Sequence, residues 1–155
     1  MLKKSKLFYI LLITLISIGC HQVSTTVPAF SNSNRVENSS VVSPGNEFNL
    51  GVNQVANLAG ESLTIKFVGI ESDSRCPTGS RCFWQGQVKA SITIEQNGED
   101  LGGFTLIKGV GQSSSAIATV AGYKIKLLDV NPYPRQNRKP DVADYVVTLT
   151  ISPKS

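Results

Sequence analysis

The chain has one histidine, His21, in 155 residues, and that scarcity excludes much chemistry. A Ser-His-Asp triad in the body of the chain would have no base. A zinc site needs four ligands, and the only histidine lies close to the N-terminus. There is no H-E-x-x-H, no P-loop and no G-x-G-x-x-G opening a helix. No metal and no cofactor is implied. Charge is sparse as well, at 17% of residues, against a usual quarter. The net +4 is uneven, because Lys3, Lys4 and Lys6 lie in the first six positions and residues after 19 carry twelve basic against eleven acidic side chains. A near-neutral remainder does not present the basic face that nucleic acid requires. Long segments with a 3.6-residue period are missing, and so is an apolar run of the ~20 residues needed to span a bilayer as a helix.

What is present begins at the N-terminus. Met1 to Lys6 carries three lysines, Leu7 to Ile18 is apolar except for Thr14 and Ser17, and Gly19 leads into Cys20. A positive start and a short apolar run fit a secretory signal peptide over residues 1–19. The positive end is retained in the cytoplasm and the remainder is translocated. Gly19-Cys20 at the end of the apolar run resembles the lipobox of bacterial lipoproteins, with Ser17 standing where that family usually has Leu. The resemblance implies a diacylglyceryl group on the Cys20 thiol, cleavage before it and acylation of the new amine. Membrane lipid is then a partner through Cys20, and acyl chains at ~0.8 kcal/mol per buried CH₂ anchor firmly. His21, rather than Asp, follows the cysteine, which favours the outer membrane or cell surface. The alternative is an ordinary signal peptide with an incidental cysteine.

If Cys20 carries lipid, Cys76 and Cys82 remain. An even remainder in an exported chain reads as a disulfide. The five intervening residues, Pro77-Thr78-Gly79-Ser80-Arg81, contain the Pro and Gly that turn a chain back. Closing a loop of this size contributes roughly 2.4 kcal/mol in the chain-entropy picture. A redox pair, usually spaced by two residues, and half of a metal site are the alternatives.

His21 to about Asn46 is rich in Ser, Thr, Asn and Val with no apolar period, and reads as a linker over residues 20–46. Docking of part of it as an extra strand around Val41-Val42 is the alternative. From Glu47 onward the period is two. Leu63, Ile65 and Phe67 alternate with polar neighbours, as do Val88, Ala90, Ile92 and Ile94. Asn97-Gly98 follows at once and suits a tight hairpin. Leu101–Ile107, Ala116–Val120, Tyr123–Leu127 and Tyr145–Ile151 continue the series. The expectation is an all-β domain over residues 47–155, an antiparallel β-sandwich of seven or eight strands, with an immunoglobulin-like order as one form of it. A small closed barrel is the alternative.

The most distinctive segment runs Asp73-Ser-Arg-Cys-Pro77, four residues, then Cys82-Phe-Trp-Gln-Gly86. It resembles a motif of small uncharacterised bacterial secreted proteins and lipoproteins. Asn131-Pro-Tyr-Pro134 and the closing strand resemble them too. That likeness implies a β fold and no mechanism. Physically, Asp73 is placed to accept backbone N–H bonds in an Asx-type turn. Arg75 is placed to pair with it or to donate to loop carbonyls. Trp84 is expected to pack over the disulfide with its N–H on a loop acceptor. Two outcomes differ for function. In one the loop presents Arg75, Arg81 and Trp84 to a partner, and in the other it is a self-satisfied plug. A second loop, Asn131 to Asp144, carries Arg135, Arg138 and Lys139 and suits phosphates, anionic lipid or an acidic protein.

The candidate binding residues are therefore Asp73, Arg75, Arg81, Trp84, Arg135, Arg138 and Lys139. The expected function is a non-catalytic binding or structural domain tethered in the envelope, with a protein partner there. A small hydrolase using carboxylates such as Glu71 and Asp73 is one alternative. A structural subunit of an envelope complex is the other.

Overall fold

Apolar side chains at every second position bury one face of each strand, and two such faces close on each other. A computed structural model describes residues 38–109 and 116–154. The expected signal peptide and Cys20 lie outside the described residues. Nine strands form among those described: β1 (Ser39–Val42), β2 (Glu47–Gly51), β3 (Val55–Leu58), β4 (Leu63–Asp73), β5 (Gln87–Gln96), β6 (Glu99–Gly109), β7 (Ile117–Val120), β8 (Tyr123–Asn131) and β9 (Val146–Pro153). They make a five-stranded sheet in the order β1-β3-β4-β5-β6 and a four-stranded sheet in the order β2-β9-β8-β7. The fold is a β-sandwich. Its core comes from alternate residues, among them Leu63, Ile65 and Phe67 of β4, Val88, Ala90, Ile92 and Ile94 of β5, and Val147, Leu149 and Ile151 of β9.

Three expectations need correction. The linker does not reach Asn46, because Ser39–Val42 pairs in parallel with β3, from Ser39 opposite Val55 to Val42 opposite Leu58. Val42 is buried there and Val41 faces solvent. One buried apolar residue and a short ladder leave almost no periodic signal. Because of β1 the strand count is nine, and the five-stranded sheet is mixed rather than antiparallel. The immunoglobulin order is also absent. Its sheets read ABED and CFG, whereas β3 to β6 run consecutively in one sheet and β7 to β9 in the other. This is an up-and-down meander folded in two, with β2 closing beside β9.

Two turns behave as their residues dictate. Asn97 and Gly98 have φ of 53° and 80°, the positive values of a tight hairpin turn joining β5 to β6. Ala121 and Gly122 do the same between β7 and β8, at 54° and 77°. Bulges break the alternation within β4, between Phe67 and Gly69 and between Ile70 and Ser72. Another, between Leu127 and Asp129, turns Val130 inward on β8.

Strand direction gives the sandwich two distinct ends. β4 finishes, β5 begins, β8 finishes and β9 begins at one end, which therefore carries the loops 74–86 and 132–145. The opposite end holds the Asn97-Gly98 and Ala121-Gly122 turns and the end of β9. β1 runs antiparallel to β4, through β3. β1 therefore runs away from the two loops, starting level with Lys66 of β4.

Candidate functional site

The loop end is organised around Arg75. Asp73 closes β4, and its Oδ1 accepts the Arg75 backbone N–H at 3.1 Å, the Asx-type turn the sequence suggests. The guanidinium then lies against the same carboxylate, with Nε donating to Oδ1 at 2.9 Å and Nη2 to Oδ2 at 2.6 Å. The remaining donors cross to the other sheet. Nη1 donates to the Val130 carbonyl at 2.6 Å and Nη2 to the Pro132 carbonyl at 3.1 Å. The Tyr145 hydroxyl donates to Asp73 Oδ2 at 3.1 Å, and the Tyr133 ring lies 4.5 Å from the Arg75 Cζ. The Arg75 and Asp73 side chains are only 8% and 3% exposed, so this is a buried pair with its polar atoms well supplied.

The electrostatics follow from that enclosure. Burial alone would raise the Asp73 carboxyl. The Arg75 hydrogen bonds and charge, with the Tyr145 hydroxyl, outweigh it and hold the group below the ordinary carboxylate range. Tyr145 moves the other way. Burial, followed by the neighbouring Asp73 charge and its hydrogen bond, pushes the phenol up.

Past Asp73 the β4–β5 ladder continues into the loop. Ser74 N–H donates to the Gln87 carbonyl at 2.8 Å, and Cys76 N–H to Gln85 at 2.9 Å. Gly86 makes this possible. Its φ is +66°, and a Cβ there would sit 1.8 Å from the Ser74 carbonyl oxygen. Cys76 and Cys82 form the expected disulfide, with Cα atoms 5.9 Å apart. Within it a turn forms from Ser80 N–H to the Pro77 carbonyl at 3.0 Å.

The two loops singled out separately in the sequence are stitched together. Thr78 N–H donates to the Pro134 carbonyl at 2.9 Å, Gln136 N–H donates back to Thr78 at 3.1 Å, and Thr78 Oγ1 donates to Pro134 at 3.1 Å. Pro134 is buried beneath. An open groove of about 970 Å³ runs along the seam, with Thr78, Tyr133, Arg135, Gln136 and Asp144 among its walls.

These contacts sort the candidate residues. Asp73 and Arg75 are not available to a partner, because they are buried and satisfied inside the clamp. Trp84 does not pack over the disulfide. It is 79% exposed, and its neighbour Phe83 is fully exposed. The two rings meet edge to face at 6.1 Å between centroids. The inner space of the loop end is taken by Arg75 and its partners, which leaves the aromatic pair outside. Arg81, Arg135, Arg138 and Lys139 are exposed on the joined loops. With Asp141 and Asp144 they give these loops a balance of +2, in a chain whose residues after 19 total only +1. The opposite end carries Glu47, Glu61, Glu95, Glu99 and Asp100, all exposed, against Lys66, Lys124, Lys126 and Lys154, a balance of −1. The domain is therefore electrically polar, positive at the loops.

Phe83, Tyr133 and Tyr145 were not singled out from the sequence. Phe83 had a signal, an aromatic beside Trp84 in a hydrophilic loop. The two tyrosines had none, since their partners Arg75 and Asp73 lie 58 and 72 positions away. Of the two carboxylates considered for hydrolysis, Glu71 accepts the Thr105 hydroxyl at 2.7 Å, and Asp73 belongs to the clamp. No cluster of three metal-binding side chains exists among the described residues. Comparison of the chain with family models, curated proteins and solved structures finds no match to any of them.

Proposed function

We propose that the chain is an exported lipoprotein, anchored through Cys20, whose β-sandwich is a non-catalytic binding module that works through its loop end. One observation carries the reading. Nearly every distinctive residue of the 73–86 segment has a structural task, and the Phe83–Trp84 pair does not. Asp73, Ser74 and Arg75 are hydrogen-bonded, Cys76 and Cys82 are joined, and Gly86 permits the close backbone approach. Large exposed aromatics held between the disulfide at Cys82 and the Cys76–Gln85 backbone hydrogen bond have a low ordering cost on contact, which favours binding. Engagement of Glu71 and Asp73 within the fold argues for this reading over a carboxylate-dependent hydrolase.

The anchor is tested in cells. Cys20→Ser should abolish metabolic lipid labelling and release the domain from the membrane fraction. Retention of the variant in the membrane, together with a wild type that takes no label, would overturn the lipoprotein assignment.

A further inference from the structure

We infer that the loop end is a membrane-facing surface, which seats Phe83 and Trp84 in the headgroup region of an anionic bilayer while Arg81, Arg135, Arg138 and Lys139 meet its phosphates. This deepens the anchored-module reading and rests on it. Three independent observations converge.

The first is chemical. Aromatic rings with an apolar body are at home at the membrane–water interface, and Trp is enriched there. Phe83 and Trp84 follow Cys82 just outside the disulfide ring, with no neighbour among the described residues to cover them beyond each other. The second is electrostatic. The four exposed cations lie on the two joined loops, while the opposite end carries a small negative balance. In front of an anionic surface this polarity turns the loop end inward, and the attraction persists over about a Debye length, ~8 Å at physiological salt.

The third is topological. Ser39, the first residue of β1, is level with Lys66 of β4, seven residues short of Asp73 at the loop end. Only seventeen residues separate Cys20 from Asn38, at most ~60 Å when fully extended. A chain of that reach lets the loop end meet the membrane that holds Cys20. A protein partner would also accept exposed aromatics, but the charge polarity does not call for one.

Trp84 is the chain's only tryptophan, so it reports its own surroundings. The full chain and its Cys20→Ser variant would be incorporated into two kinds of vesicle. One contains phosphatidylglycerol with phosphatidylethanolamine, the other phosphatidylcholine alone. Indole emission and its quenching by lipids brominated near the headgroup would be read in each. On anionic vesicles the emission should shift to the blue and be quenched. Each cation changed to Gln at positions 135, 138 and 139 should lower the inserted fraction relative to the free one about fivefold. Phe83→Ala should lower it further with the fold intact by circular dichroism.

Water-like emission without quenching on both vesicles would overturn the proposal, and that is the result a protein-binding tip gives. Insertion independent of lipid charge would overturn the electrostatic part. The Cys20→Ser variant is read at saturating vesicle concentration, so the Trp84 signal is obtained whether or not Cys20 is acylated. Failure of the anchor and failure of the docking surface are thereby separate results.

Discussion

Arg75 illustrates how one side chain joins two sheets. Its guanidinium binds a carboxylate at the end of β4 and carbonyls at the end of β8. Removing one partner of such a buried pair strands the other, at about 3–5 kcal/mol. Arg75→Ala should lose about that much in urea unfolding, and Asp73→Asn a similar amount. The pair also carries a pH signature. The folded-state pKa of Asp73 lies below its unfolded value. Its stabilising contribution is therefore present above the unfolded pKa of about 3.9, and is lost as pH falls through the folded value. The stability gap between wild type and Asp73→Asn should be wide at neutral pH and narrow in strong acid. A gap of constant width would refute the linkage. Gly86→Ala should also be severe, at about 3 kcal/mol, because both the positive φ and the Ser74 carbonyl oppose a side chain. Phe83→Ala and Trp84→Ala should each change stability by no more than about 0.5 kcal/mol, as exposed positions do. Urea midpoints for the three variants separate these cases. A costly Trp84→Ala would mean the ring has a structural task.

At the scale of elements, legibility followed the strength of the period. β4, β5 and β9 were plain because strict alternation places Leu63, Ile65 and Phe67, or Val147, Leu149 and Ile151, on one buried face. Asn97-Gly98 marked its hairpin by residue type. β1 was assigned to the linker because a four-residue edge strand buries only Val42. Bulges were hidden as well, since an extra residue at Leu128 looks like noise until the partner strand is known. In the 73–86 loop the Asx-type turn and the Asp73–Arg75 pair were readable, being two residues apart. The contacts with Val130, Pro132 and Tyr145 were not, because they depend on the fold. The disulfide was readable from cysteine count, and its energetic share is modest. Replacing Cys76 and Cys82 by Ala should cost roughly 2.4 kcal/mol. The β-sheet circular dichroism should persist, since every core side chain lies outside the seven-residue ring. Loss of the sheet signal would show that the loop is part of the folding core.

For the whole molecule, composition and alternation pointed to a sandwich, while strand order came only with the structure. A meander and an immunoglobulin sandwich share the same strands and differ in which neighbours they choose. Charge polarity was likewise invisible in the net count, where a small total conceals a positive end and a negative one. The joined loops show why the two distinctive segments belonged together. Pairing through Thr78 and Pro134 merges them into one surface.

The parallel strand β1 has a mechanical consequence. A pull on the chain ahead of Asn38 meets β1 before any other part of the sandwich. It is held to β3 by a ladder running from the Asn38 carbonyl, which accepts from Val55, to the Val42 carbonyl, which accepts from Ala59. The force runs along the strand, so this ladder is loaded in shear. The core strands behind it are much longer, up to eleven residues. Slippage of β1 would release residues 39–44, up to the Gly45 N–H held by the Ile151 carbonyl, and lengthen the chain ahead of the sandwich by about 20 Å before β2 bears any load. Tension would thus be spent on four residues at the sheet edge, and the clamp at Arg75 would stay closed.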